Sequence, residues 1–565
     1  MAQLHTVEDV QTYKHNSPII PNRAVSCFKV PIQTPHIKQR FQFNGEAFSN
    51  LSTHDQSLFE QFGQGPTVEL PHDRIHHAFE AHAMANPGAI AAEHLGESIT
   101  YGELNRQANR LADILKNHGV TTGDNVSLFV KRSIPMLIGI MATLKIGAAY
   151  VPQDVGVAPE PVLSHVIKTT QSKVILTLSN FKHLVPVPKG HICLSIDEIM
   201  REPLDDASAY DGVFTPEQET HRDKHCFILF TSGTTGNPNG VQVTHGNVCN
   251  ILLTEPGNLG MRPGLRVGQI LSISFDMAAW EILGCLGHGA TLVIRGKEFA
   301  PVVESVDIII STPTILSSFD AEQCQQVRTV AVAGEPCPRP LAEKWGAFCR
   351  FYNSCGPTET TIINTAQHFT PDLDGLTIGK PTPNNTVYVL DKELNPLPIG
   401  EVGEMWAGGD CVTNGYLANP ELTNVRYAPD PFLGNGRFMF NTRDLGRWNE
   451  NGELEHYGRS DDQVKIRGFR VELDSVSGAL ESVENCKRAV TLKFDSRHLV
   501  GFVSPMSVDE EAAKEAVEAA LPYYCVPKFI IPLEELPRTD RGKIDKRLLM
   551  QMAIEFDKQA ELEVQ

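Results

Sequence analysis

A chain of 565 residues exceeds what one hydrophobic core organises, so its length implies a large domain with something smaller attached. Apolar and charged fractions of 41% and 21%, with glycines and prolines in no repeat, exclude a collagen-like or wholly disordered chain. A formal charge of −19 opposes binding to phosphate backbones and argues against a nucleic-acid partner, and twelve cysteines without a C-x-x-C pair give neither a zinc ribbon nor a redox dithiol.

Along the chain, residues 1–70 carry Pro18, Pro21, Pro31 and Pro35 among polar runs and read as a linker or docking extension without the apolar core of a secretory signal. Helical periodicity begins at Ile75 and returns between Leu104 and Leu115. The most apolar stretch, residues 134–151, is interrupted by Lys145 and falls short of a membrane span, so a soluble, cytoplasmic protein with no membrane partner is expected. Between Cys226 and Ile363, β-rich runs at 227–230, 269–274, 291–294, 306–310 and 327–332 alternate with helix-compatible stretches, the rhythm of an α/β fold with largely parallel, buried strands. A charged, glycine-punctuated segment at 457–468 has the character of a hinge. It separates a large unit over 71–460 from a small α+β module over 461–550, with helices expected near 475–483 and 510–520 and a peripheral tail over 551–565.

The strongest local signal is the run Thr231, Ser232, Gly233, Thr234, Thr235, Gly236 behind a β-like segment. Hydroxyls interleaved with glycines let backbone N–H groups and side chains converge on phosphate oxygens, because glycine permits close approach and positive φ. No Gly-Lys-Ser or Gly-Lys-Thr follows, so the loop is not that of an ordinary P-loop ATPase. Further along stand Asn353-Ser354-Cys355-Gly356-Pro357-Thr358-Glu359, then Asn441-Thr442-Arg443-Asp444, then Gly458-Arg459-Ser460-Asp461, and finally Arg541-Gly542-Lys543.

In this order the motifs resemble the adenylate-forming superfamily, and within it the adenylation domains of nonribosomal peptide synthetases, over residues 71 to 548. The resemblance implies a large N-terminal domain of mixed sheets and helices with a small mobile C-terminal domain, and ATP and Mg²⁺ as cofactors. Carried over by motif, Gly334, Glu335, Asn353, Ser354, Cys355, Asp444, His456 and Arg459 would contact the nucleotide, with Asp444 accepting hydrogen bonds from the ribose diol. Thr358 would reach the α-phosphate, and Glu359 would offer Mg²⁺ a hard oxygen. Lys543 would stabilise charge on the phosphoryl oxygens as a carboxylate attacks. Asp461 would be the pivot of the small domain. The chain departs from the family where Cys355 replaces a Tyr, Asn239 a Lys and Arg443 a Gly.

The resemblance also implies an α-amino acid substrate, because Asp276 stands where the amino-acid-activating branch pairs a carboxylate with the α-ammonium. The pocket would be lined by Met277, Trp280, Ile310, Ala331, Ala333, Ser354, Ile362 and Ile363, with no charged group on the substrate side chain. A neutral, large side chain follows, either phenylalanine-like or an N5-acyl-N5-hydroxyornithine of the kind found in fungal siderophores. No phosphopantetheine-attachment motif follows Lys543 and no His-His-x-x-x-Asp-Gly is present, so the expected partners are a peptidyl carrier domain with its phosphopantetheine arm and neighbouring condensation domains. The competing readings are a catalytically weak nucleotide-binding scaffold, which the departure at Asn239 would permit, and an acyl-CoA ligase.

Overall fold

A computed structural model describes residues 43–563 apart from 204–205, 217, 219–220, 234–236, 435, 462 and 539–543. The large subdomain is built on three sheets. In one, Ile192–Ser195, Val174–Thr177, Asn125–Val130, Ala149–Asp154 and His225–Thr231 run parallel, and Asn239–Thr244 closes the edge antiparallel. A nine-stranded sheet has a parallel centre that includes Arg266–Gln269, Ile308–Ser311, Thr329–Val332 and Arg350–Cys355, with antiparallel strands at its edges. The central strand Ile308–Ser311, Ile-Ile-Ile-Ser, is nearly all apolar and fully buried because both faces are covered. The third sheet is antiparallel and contains Asn385–Leu390, Gly403–Gly409, Phe438–Trp448 and Leu454–Arg459.

Helices pack by the expected periodicity. Tyr101–Asn117 starts where Thr100 accepts a hydrogen bond from the Glu103 N–H at 3.2 Å, and it buries Leu104, Ala108, Leu111 and Leu115. The apolar stretch after Ser133 is the core helix Ile134–Lys145, every residue of which except Pro135 is buried. Lys145 ends it in the interior, held by Glu80 and by Asn105 Oδ1 at 2.8 Å. No helix among the described residues is long and apolar enough to cross a membrane.

The small subdomain has the hairpin Gln463–Ile466/Phe469–Glu472, a three-stranded sheet (Arg488–Lys493, Leu499–Ser504, Phe529–Pro532) and helices Leu473–Glu481, Glu510–Ala520 and Lys546–Glu563. Over its described part the expected linker or docking extension is folded: Asn44 caps the turn Gly45–Phe48, helix Thr53–Phe62 follows, and Phe48 and Phe59 are buried against Tyr388 and Phe432. The ring centroids of Phe48 and Phe432 lie 5.1 Å apart. In the tail, Ala553 is fully buried and packs with the preceding Leu549 against Phe502 and Val500, while most of residues 551–560 are exposed.

Candidate active site

The parallel strands of the two α/β sheets direct their carboxyl-end loops toward one another, the usual ligand position in such sheets. Between these loops and the small subdomain lies a cavity of about 990 Å³. Thr231, Ser232, Gly233, Asp276, Met277, Ala333, Gly334, Glu335, Asn353, Ser354, Cys355, Thr358, Ile362, Asp444, His456, Arg459 and Asp461 all line it, so motifs spread over 230 residues of sequence meet in one chamber. Thr234, Thr235, Gly236 and Lys543 lie outside the described residues.

The phosphate-loop segment leaves the strand His225–Thr231 and returns as Asn239–Thr244, with Thr231 facing Asn239. Gly233 is required there, since a Cβ would sit 2.4 Å from the Asn237 carbonyl oxygen. The small subdomain holds this loop. Ser232 Oγ donates to the Arg470 carbonyl at 3.1 Å, and Ser475 Oγ donates to the carbonyl of Gly233.

Glu359 sits on the turn Thr358–Thr360 behind strand Arg350–Cys355 and has no exposed surface. Tyr416 Oη donates to its Oε1 at 2.6 Å, and Arg470 Nη1 reaches both carboxylate oxygens at 3.1 Å. Burial pushes this carboxyl up, but Arg470, Arg426 and the Tyr416 hydroxyl outweigh it and hold the pKa down at about 2. Glu359 is not on the cavity wall, although a single hard carboxylate is a donor that suits Mg²⁺, which is commonly held by one or two carboxylates plus substrate phosphates. Among the described residues no cluster of three or more His, Cys, Asp or Glu could hold a metal alone.

Asp276 opens the helical turn Asp276–Ala279. Burial raises its pKa, opposed by a hydrogen bond from the Thr358 hydroxyl and by the ammonium of Lys465. Thr358 is thus engaged with the acid that was expected to meet the substrate. On the opposite side, Arg459 Nη1 binds Asp444 Oδ1 at 2.7 Å and clasps Asp461 through Nε and Nη2 at 2.7 and 2.9 Å. Burial raises the Asp444 carboxyl, yet His456 and Arg459 more than compensate and hold it below the usual carboxylate range. Arg443 takes a left-handed backbone, φ 58°, a conformation that favours glycine, and its guanidinium lies 3.4 Å from Asp461.

The AMP-binding enzyme family profile matches residues 79–417, which is more than half of the chain. The chain belongs to the AMP-binding enzyme family. It is 48% identical over 521 residues to adenylate-forming reductase 06235 of Coprinopsis cinerea, covering 91% of this chain and 50% of the relative. Gramicidin S synthase 1 of Brevibacillus brevis is 32% identical over 530 residues, 90% of this chain and 47% of that protein. The chain therefore spans about half the length of these curated relatives. An artificially fused adenylation–PCP di-domain of a nonribosomal peptide synthetase from Klebsiella oxytoca shares the fold at a TM-score of 0.72 and 24% identity, over 81% of this chain and 93% of that one.

Within this AMP-binding enzyme, Met277, Ala333, Ser354 and Ile362 of the expected substrate pocket line the cavity. Trp280, Ile310, Ala331 and Ile363 are buried but do not line the cavity. Trp280 turns into the core, where its indole N–H donates to the Gly257 carbonyl at 2.6 Å. The chamber is not free of charge either, since Arg132 and Arg295 are on its wall. Asn353 donates through Nδ2 to the Thr377 carbonyl at 2.7 Å, which orients its carbonyl oxygen as an acceptor. Ser354 Oγ is buried without a hydrogen-bond partner. Cys355 lies on the wall with burial pushing its thiol up to about 12, an inert neutral group. Sequence reasoning missed Tyr416 as a partner of Glu359, read Lys465 only as part of a hinge, and placed Arg470 in the small module without a role. The signal was present in two basic residues flanking a glycine turn between acid-rich motifs.

Proposed function

We propose that this chain uses ATP to convert an α-amino acid to its acyl-adenylate and passes the acyl group to the thiol of a carrier domain. The observation that carries the proposal is the convergence of Asp276, a partly shielded carboxylate suited to an ammonium, with the phosphate-loop residue Gly233 and the ribose-side acid Asp444 on one cavity. In this reading the substrate carboxylate oxygen attacks the α-phosphorus as the bond to pyrophosphate breaks. Asp276 positions the ammonium, Asn353 and Asp444 orient the nucleoside, and Lys543 stabilises the growing phosphoryl charge. Glu359 would hold Mg²⁺, which neutralises phosphate charge when bound.

A large, mainly apolar side chain remains the preferred substrate class, and Ser354 Oγ offers it one hydrogen bond. The phenylalanine-like and N5-acyl-N5-hydroxyornithine candidates both meet this description. The carrier thiol as acceptor is supported by the fold shared with an adenylation–PCP di-domain. The 48% identity to an adenylate-forming reductase favours a second destination, in which the carrier thioester is delivered to a reductase and not to a condensation domain.

ATP–pyrophosphate exchange across a panel of amino acids, their des-amino analogues and aryl acids tests the proposal. Amino-acid-dependent exchange supports it. Exchange with des-amino acids alone overturns the amino-acid assignment, thioester formation with free CoA points to an acyl-CoA ligase, and no exchange with any acid leaves the scaffold reading.

A further inference from the structure

The hairpin of the small subdomain places Lys465 directly opposite Arg470 in its register. Like charges at such a pair repel and weaken a hairpin, so the arrangement needs acids elsewhere. The acids come from the large subdomain. Burial and Arg470 lower the Lys465 pKa, Asp276 and Asp444 oppose them only in part, and Arg470 bonds both oxygens of Glu359. On its own strand Arg470 has only Glu472, 3.7 Å from an Nε that is buried without a hydrogen-bond partner.

Glu359 is the carboxylate read above as the metal ligand, and the following inference rests on that reading. With Arg470 on both oxygens and Tyr416 on Oε1, about three of its four lone-pair sites are engaged. A divalent cation needs those lone pairs at close range and would face an adjacent guanidinium. A fully buried ionised carboxylate left without a counter-charge, on the other hand, is strongly penalised. We propose that Arg470 and a divalent cation are alternative counter-ions of Glu359, so that docking of the small subdomain in the observed arrangement and occupancy of the metal position exclude one another. Arg470 is then a positioning residue. It can engage Glu359 only when no divalent cation does, and it brings its own carbonyl to Ser232 and the neighbouring Ser475 to Gly233, so the same movement fastens the phosphate loop.

Mn²⁺ alone, without nucleotide, tests this on the full chain by the loss of the free-Mn²⁺ paramagnetic resonance signal. Arg470→Gln should bind Mn²⁺ at least about tenfold more tightly than the wild type, since it frees a buried carboxylate of its competitor. Arg470→Lys, which keeps a cation there, should stay close to wild type. Adding Glu359→Gln to Arg470→Gln should abolish the gain. Equal Mn²⁺ affinity for Arg470→Gln and wild type, or a gain that survives in the double variant, overturns the proposal. A second measurement needs no change at Arg470: the distance between spectroscopic labels at the exposed Leu95 and Met506, one on each subdomain, should shift with Mn²⁺ in an otherwise unaltered chain and not in Glu359→Gln. A distance indifferent to Mn²⁺ also overturns it. Because no ATP is present, failure of the exchange assay would sink the adenylation reading without altering these outcomes.

Discussion

Glu359 and Asp461 are both buried or nearly so and both bound by arginine, yet they obtain the arginine differently. Asp461 is clasped by Arg459, two residues earlier, and approached by Arg443 from the strand Phe438–Trp448, in whose register Asp444 faces Arg459. The whole group belongs to one sheet and its exit. Glu359 is partnered by Arg470, 111 residues away on the other side of that exit. Local pairing fixes a geometry, whereas remote pairing can be withdrawn by moving a subdomain. Glu359 has the withdrawable kind, which suits a charge that must change during a reaction.

The comparison is broken most severely at Glu359. Glu359→Gln leaves Arg470 buried without its acid and should destabilise the fold by about 3–5 kcal/mol in urea unfolding. The same substitution should lower pyrophosphate exchange by about 10²-fold or more, the scale of one lost charge contact in the transition state. Asp461→Asn should cost about 2 kcal/mol, because Arg459 keeps Asp444 when the clasp is lost. Equal losses at the two sites would mean that the remote pair is no different from the local one.

Next in size, Asp276→Ala should reduce exchange with amino acids by about 10²-fold, equivalent to about 2.7 kcal/mol, while des-amino analogues are spared. Because burial raises the Asp276 pKa, the apparent KM for the amino acid should rise as pH is lowered and the carboxylate is lost.

Arg443→Gly sharpens the local side. It relieves a left-handed backbone worth about 1–2 kcal/mol and forfeits a 3.4 Å ion pair worth about 1 kcal/mol or less, so stability should change little. Transfer of a supplied acyl-adenylate to a carrier thiol should change severalfold if this pair restrains the pivot, and an unchanged rate would remove Arg443 from the hinge.

Glu281 supplies a third case, a buried acid with no cation at ion-pair distance among the described residues. It accepts from the N–H groups of Ile270 and Leu271 at 2.9 and 3.2 Å, and burial raises its pKa to about 8. A folded-state pKa raised above the ordinary value of 4.5 contributes stability that is present below pH 4.5 and lost as pH rises toward 8. Wild type should therefore lose stability relative to Glu281→Gln across that window, measured by urea unfolding at pH 5, 6.5 and 8. A difference independent of pH would show that Glu281 is ionised throughout.

Much of this was legible in the sequence because it is local. The apolar strand at 308–311, the Gly233 loop and the acid at 444 each carry their reason within a few residues. The register of Trp280 in a helix does not say which face turns to the cavity, and its indole is satisfied by a carbonyl 23 residues earlier. Lys465 and Arg470 acquire meaning only from where a second subdomain docks, which no window of sequence contains. The same is true of Arg132 and Arg295, brought to one wall from the ends of different sheets.

The aromatic cluster that joins residues 43–62 to the antiparallel sheet bears on how such proteins are cut and recombined. The family profile begins at residue 79, so a module trimmed to that boundary discards Phe48 and Phe59 and uncovers the rings of Tyr388 and Phe432. Tyr388 belongs to the same sheet as Asp444 and Arg459, and Phe432 lies in the turn between two of its strands. A transplanted module would therefore carry an oily scar on the sheet that bears its ribose-side acid, and its tendency to precipitate could be mistaken for a mismatch with its new neighbours.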